Sequence, residues 1–268
     1  MQAGWEETVR KPAEVRRYRS FDADFAQAKD QDYKVPPDYK WIKTGLVDRI
    51  LSALIYGAAL VFSNVYCRLF LHVRFKNTKV LKKASGDGIM LYANHTQLIG
   101  DVFNPALACF PKRIYTVVSP ANLSIPVIGK ILPHLGALPI PDSLAEMKEF
   151  NSAIKTRISQ KKCVVIYPEA HVWEYCTFIR PFSDTSFKYP VKNSCPVYCM
   201  TTTSQKRRLG SKPAVTAYID GPFYSDESLP QKERASKLHD EVMEQMKKRS
   251  ENSTYEYIRY EKEEDSAE

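Results

Sequence analysis

Short apolar, β-rich runs punctuate the chain at Gly88–Ala93 (GIMLYA), Arg113–Ser119 (RIYTVVS), Cys163–Pro168 (CVVIYP), Pro196–Thr201 (PVYCMT) and Ala214–Gly221 (AVTAYIDG). Most are continuous rather than alternating, as strands covered on both faces are. Helical stretches lie between them. Ser143-Leu144-Ala145-Glu146 makes a capping box that opens a helix to about Gln160. A second helix covers Gln231 to about Arg249, with Leu238, Val242 and Met246 on one stripe. This alternation predicts an α/β fold: a single open, mostly parallel sheet flanked by helices.

Upstream of the first strand lies the uncharged run Ile50–Cys67, between Arg49 and Arg68. As a helix it is about 27 Å long, just under the hydrocarbon thickness of a bilayer. Basic residues flank it on both sides: Lys40, Lys43 and Arg49 before, Arg68, Arg74, Lys76 and Lys79 after. A spanning helix usually has a lopsided count, so the symmetry favours a helix lying in the interface. A buried core helix is the alternative, and spanning against lying flat stays open. The expected organisation is a polar N-terminal arm over 1–43, extended or partly helical, and an apolar membrane-associated helix over 44–73. An α/β domain over 74–250 and an acidic, frayed C-terminal tail over 251–268 follow.

Composition narrows the partners. Lys and Arg number 39 against 31 Asp and Glu, a net charge of +8 in 268 residues. That excess suits an anionic partner: a phospholipid surface, a phosphorylated substrate or an acidic carrier protein. No helix-turn-helix or RNA-binding signature accompanies it, so no nucleic-acid role is expected. The six cysteines form no C-x-x-C pair and no zinc spacing, which points to free thiols in a reducing compartment. The charged N-terminus does not have the pattern of a cleavable signal peptide.

Two stretches carry chemistry. Tyr92-Ala93-Asn94-His95-Thr96-Gln97-Leu98-Ile99-Gly100-Asp101 puts a histidine where a strand gives way to a helix. In parallel α/β sheets reactive groups collect at that carboxyl edge. Asp101 is placed to bond one imidazole nitrogen and leave the other as a base near neutral pH; an Asn-His helix cap is the plainer reading. Tyr167-Pro168-Glu169-Ala170-His171-Val172-Trp173 also follows a strand, and Glu169 and His171 are candidates to line a polar pocket. Arg180 and Lys188, downstream, are candidate anion ligands. His95, Asp101 and His171 have no metal spacing, and no metal site is expected. Between these stretches, Ser119–Gly129 and Leu135–Ile140 alternate Gly and Pro with apolar pieces, as around a greasy groove.

In this order the stretches resemble the lysophospholipid acyltransferase superfamily, the relatives of 1-acylglycerol-3-phosphate acyltransferase. Asn94-His95…Asp101 is similar to the family's N-H-x4-D block, and Pro126…Gly129 with Gly136…Ile140 to its second block. Tyr167-Pro168-Glu169-Ala170-His171-Val172 resembles F-P-E-G-T-R, and Cys195–Met200 the fourth block, a V-P-V-x-P-like strand. The resemblance covers about Ile50 to Phe223. It departs in three places. Five residues separate His95 from Asp101, and the extra one, Gly100, rotates Asp101 about 100° on an ideal helix unless the helix starts late or bulges. Ala170, His171 and Val172 stand where the family has Gly-Thr-Arg. Asp142 stands near the place of the Arg that usually closes the second block.

The resemblance implies an O-acyltransferase that moves a fatty acyl group from acyl-CoA or acyl carrier protein to the hydroxyl of a lysophospholipid or related glycerolipid. It implies His95 and Asp101 as the catalytic pair, Glu169 as a site residue, no cofactor beyond the acyl donor, and a phospholipid membrane as partner. The catalytic domain is expected on the cytoplasmic side. With the Arg of the third block missing, His171 and Arg180 are assigned to the substrate. The rival readings are a lipid-binding protein of the same fold with an impaired dyad and, behind it, a thioesterase or lipase, for which the G-x-S-x-G signature is absent.

Overall fold

The computed structural model describes residues 11–26 and 30–263. Its elements in chain order are β1 (Glu14–Tyr18), α1 (Leu46–Leu69), β2 (Arg74–Lys76), α2 (Lys79–Lys83), β3 (Ile89–Ala93), α3 (Gly100–Cys109), β4 (Ile114–Val118) and α4 (Ile128–Leu135). They continue with β5 (Ala137–Pro139), α5 (Leu144–Ser159), β6 (Cys163–Ile166), α6 (Lys188–Asn193), β7 (Val197–Gln205), β8 (Ala214–Phe223), α7 (Gln231–Ser250) and β9 (Ile258–Lys262).

Seven strands form one sheet in the order β2-β8-β7-β3-β6-β4-β5. Its strands pair in parallel except at β7–β8. β3 lies between β6 and β7, and all five of its residues are buried, which is why its sequence is apolar without alternation. Successive residues point to opposite faces. Met90 and Tyr92 pack with Phe150 and Ile154 of α5 and with Leu238, Val242 and Met246 of α7. Ile89, Leu91 and Ala93 pack with Ala106, Ala108 and Cys109 of α3, and Tyr56 and Leu60 of α1 lean on the same cluster. The fold is thus the expected α/β sheet with helices on both faces. The capping box at Ser143 and Glu146 is formed in both directions, and the stripe on α7 is buried.

α1 is the one helix among the described residues long and apolar enough to cross a membrane. It also lies against the domain along its length. Ser52 Oγ is 3.1 Å from His134 Nδ1, Tyr56 Oη accepts from the Ile114 N–H at 3.2 Å, and Cys67 Sγ is 3.5 Å from Asn104 Oδ1. Its outer face leaves Leu46, Val47, Ile50, Leu54, Val61 and Val65 exposed.

The C-terminal end of the chain departs from the sequence reading. Glu14–Tyr18 of the N-terminal arm pairs in parallel with Ile258–Lys262, so the stretch read as a frayed acidic tail is a strand from before Tyr260. The physical reason is the apolar side of that ribbon: Tyr18, Ile258 and Tyr260 cluster with the fully buried Trp173. The last acidic residues, 264–268, lie outside the described residues. All six cysteines are buried free thiols, and burial pushes Cys176 and Cys195 up to about 12.

Candidate active site

β3 ends at Ala93 and its neighbour β6 at Ile166, so the loops after them meet at one edge of the sheet. Asn94 does not cap a helix. Its side chain extends the sheet, donating to the Thr202 carbonyl at 2.9 Å and accepting from the Thr202 N–H at 2.7 Å. That fixes the start of the loop and turns His95 outward.

The extra residue between His95 and Asp101 is absorbed by a late helix start. Residues 94–97 are not helical and α3 begins at Gly100. Asp101 therefore sits in the first turn, and His95 Nδ1 lies 2.8 Å from Asp101 Oδ2. The same oxygen accepts the Gln97 N–H at 2.9 Å. The His95 side chain is 21% exposed and that of Asp101 1%, and Nε2 of His95 has no partner among the described residues. Gly100 serves by close packing rather than by a special φ: a Cβ there would lie 2.9 Å from Gln97 Cβ and 3.1 Å from Leu71 Cδ1.

A third residue braces the pair. Pro105 stands four residues after Asp101 and lacks the N–H that would bond the Asp101 carbonyl. Tyr167 supplies the missing donor, its Oη 2.6 Å from that carbonyl, while its ring stacks on His95 at 4.4 Å between centroids. Burial holds the phenol well above the usual tyrosine range, so it keeps its proton. Sequence reading quoted Tyr167 only as part of a motif; the proline four residues after an aspartate was the available signal. Tyr167→Phe leaves the carbonyl orphaned, with an expected loss of about 1–3 kcal/mol in urea unfolding. Unchanged stability would show the bond to be dispensable.

Glu169 lies beneath the dyad. Its Oε2 accepts the His95 N–H at 3.0 Å, and its Oε1 accepts the Arg180 N–H at 2.9 Å. Arg180 Nη2 pairs with Oε2 at 3.2 Å, and both side chains are 1% exposed. The guanidinium also donates to the carbonyls of His171 and Phe21 and sits 4.7 Å over Trp173. The expectation that Arg180 meets an anion directly does not fit this burial, because its Nη donors meet protein groups and its Nε–H is closed off from solvent. Lys188 opens α6, with Nζ 5.2 Å from the Tyr189 ring, and joins neither group. His171 is at the rim, its Nδ1 3.4 Å from Asp24 and its side chain 35% exposed. Ala170, at the motif's glycine position, has φ +63°, a conformation costing a residue with a Cβ about 1–2 kcal/mol.

The loop after β6 is zipped to the loop after β3. Trp173 N–H donates to the His95 carbonyl at 3.0 Å and Tyr175 N–H to the Thr96 carbonyl at 2.9 Å. Beyond Tyr175, within reach of the Arg207 charge, a cavity of about 470 Å³ is lined by His72, Arg74, Lys206, Arg207 and Arg208, and no carboxylate of the described residues lines it. Sequence reading missed this cluster, which the topology gathers from the segments flanking β2, β7 and β8. Exposed Leu98, Ile99 and Val102 lie beside the dyad, and Val127 and Ile128 are exposed at the start of α4. Val127 turns the chain at φ +66°, with Ile128 N–H bonded to the Pro126 carbonyl at 2.7 Å. Gly129 must then lack a side chain, since a Cβ would fall 1.9 Å from the Leu123 carbonyl oxygen. Among the described residues no group of His, Cys, Asp and Glu is placed to hold a metal ion.

Comparison with known proteins agrees with this geometry. The Acyltransferase family pattern matches residues 72–203, which include His95, Asp101, Tyr167, Glu169, His171 and Arg180. No curated protein matches by sequence. Among solved structures, the fold is similar to that of the 1-acyl-sn-glycerophosphate (LPA) acyltransferase PlsC from Thermotoga maritima, with a TM-score of 0.52 and 15% identity over 74% of this chain and 80% of that one. Residues 72–203 thus carry an Acyltransferase-family domain, and the chain has the PlsC-like fold.

Proposed function

We propose that this protein is a membrane-bound O-acyltransferase that transfers a fatty acyl group from a thioester, acyl-CoA or acyl carrier protein, to the hydroxyl of a lysophospholipid. The observation that carries the reading is the closed His95–Asp101 contact with Nε2 left unpartnered. His95 Nε2 takes the proton of the acceptor hydroxyl as its oxygen attacks the thioester carbonyl, and Asp101 stabilises the imidazolium. The tetrahedral intermediate collapses by breaking the C–S bond, and the imidazolium returns its proton to the departing thiolate. Glu169 and Arg180 act as positioning residues through the His95 backbone. His171 at the rim is assigned to the acceptor.

The bilayer is the second partner. The outer face of α1 and the exposed Leu98, Ile99 and Val102 present apolar surface next to the dyad, which suits a domain lying on the membrane with its site against the acyl chains. The contacts of α1 along the domain favour an interfacial helix over a spanning one, and the cytoplasmic side remains the assignment for the catalytic domain. Arg74, Lys206 and Arg207 are assigned to the phosphate of the acceptor, in place of the arginine that the third motif lacks.

The test is acyl transfer in vesicles with labelled acyl-CoA and acyl carrier protein against a panel of lysolipids and glycerol phosphate. Product is expected with a phosphate-bearing acceptor. Arg207→Gln is expected to raise KM for that acceptor roughly tenfold with kcat little changed, as loss of one charged hydrogen bond does. A folded, vesicle-bound protein that acylates nothing on the panel would return the reading to a lipid-binding protein of this fold.

A further inference from the structure

A second cationic cavity lies at the opposite edge of the sheet. Its volume is about 680 Å³, within the range of small-molecule sites. Arg113 and Lys162 line it from just before β4 and β6, whereas the dyad and Glu169 follow the far ends of β3 and β6. Lys40, Lys43, Arg49 and Arg157 complete its charge. Among the described residues the only carboxylate lining it is Asp48, 3.8 Å from Lys43.

Two of these cations are held close together without a counter-ion. The Arg113 guanidinium lies 4.6 Å from the Tyr56 ring and 5.5 Å from Tyr115, and that of Arg157 lies 4.2 Å from the same Tyr115 ring. Arg113 donates once to the His134 carbonyl and Arg157 once to Gln160 Oε1. The Nε–H of each is shut off from solvent and has no partner. Neither forms an ion pair with a described residue. Burial first, and then the neighbouring Arg113 charge, hold Arg157 below its ordinary value. Each guanidinium keeps further Nη–H groups beyond its one hydrogen bond, and like charges held this way call for an anion whose oxygens accept from both.

The position of the cavity says where that anion comes from. Arg49 and Ser52, in the first two turns of α1, line it, and Leu46 and Val47 beside them are 70% and 78% exposed. The cavity therefore opens beside the exposed apolar face of α1, which the proposed function sets against lipid. We propose that this cavity binds the phosphate of an anionic phospholipid headgroup, at a site separate from the acyl-transfer edge, and so fixes the tilt of the domain on an anionic membrane.

Trp41 also lines the cavity, its Nε1–H bonded to the Pro139 carbonyl at 3.0 Å, and the part of the emission change that Trp41→Phe removes, against the background of Trp5 and Trp173, provides a local reading. Emission is followed on titration with soluble dihexanoyl phosphatidylglycerol, dihexanoyl phosphatidylcholine and inorganic phosphate. A saturable change is expected with phosphatidylglycerol at roughly tenfold or more lower concentration than with phosphatidylcholine. The double variant Arg113→Gln/Arg157→Gln is expected to weaken it at least tenfold, and Arg207→Gln, at the other edge, to leave it intact. Arg49→Gln/Lys162→Gln, on more accessible positions, gives a smaller loss and guards against misfolding of the first pair. A response to phosphatidylglycerol alone supports the lipid headgroup; an equal response to inorganic phosphate keeps the anion site and assigns it to a free phosphate. If both double variants, folded by circular dichroism, titrate like wild type, the cavity is not an anion site.

Discussion

His95→Ala is expected to lower the rate of acyl transfer by about 10²–10⁴, the range a general base contributes, with its melting temperature nearly unchanged. The ring is only stacked on Tyr167 and paired with Asp101, so little of the core depends on it. Asp101→Asn is the sharper test of the five-residue spacing. An asparagine keeps the shape and can still accept the Gln97 N–H. It loses the charge that stabilises an imidazolium. A fall comparable to that of His95→Ala is expected, and the double variant should lose little more than either single one, because residues that act as a unit are not additive. Initial rates with labelled acyl donor measure all three. Rates within tenfold of wild type for Asp101→Asn would mean that the 2.8 Å contact is structural and that His95 works without it.

The core of this fold could be read from the chain because buried parallel strands are apolar without interruption. Ile89–Ala93 and Cys163–Ile166 advertise themselves in that way, as does the stripe Leu238, Val242, Met246 on its helix. What could not be read depends on contacts between distant segments. Arg74–Lys76 is a short charged strand at the edge of the sheet, and Glu14–Tyr18 with Ile258–Lys262 pairs the two ends of the chain. Neither has a local signal stronger than the charge of its residues.

The dyad is an intermediate case. Its residues were visible, but whether they meet turned on where α3 begins, and that depends on Asn94 holding Thr202 and on Tyr167 taking the carbonyl that Pro105 leaves free. Arg180 was assigned to the substrate as an anion ligand, and its burial against Glu169 was not foreseen. Its neighbours Phe178, Ile179 and Phe182 gave the contrary hint, since apolar flanks draw the intervening side chain inward.

Arg180→Met tests that correction with a large effect on stability. The substitution keeps the bulk beneath Trp173 but leaves Glu169 buried at 1% exposure with no cation. Breaking one side of a buried ion pair costs about 3–5 kcal/mol, whereas removing both sides is often nearly neutral. Urea unfolding should therefore show Arg180→Met destabilised by about that amount and Glu169→Gln/Arg180→Met largely restored. Activity should follow a different pattern. The double variant keeps an amide oxygen at position 169 that can accept the His95 N–H now bonded at 3.0 Å, so the base stays near its place and KM for the lipid acceptor changes little. Were Arg180 instead a ligand of the substrate phosphate, Arg180→Met would raise KM at nearly constant stability, and Glu169→Gln would restore nothing. The two accounts predict opposite outcomes in the same pair of measurements, because a cation cannot both neutralise a buried carboxylate with all its contacts inside the protein and reach an anion in the solvent.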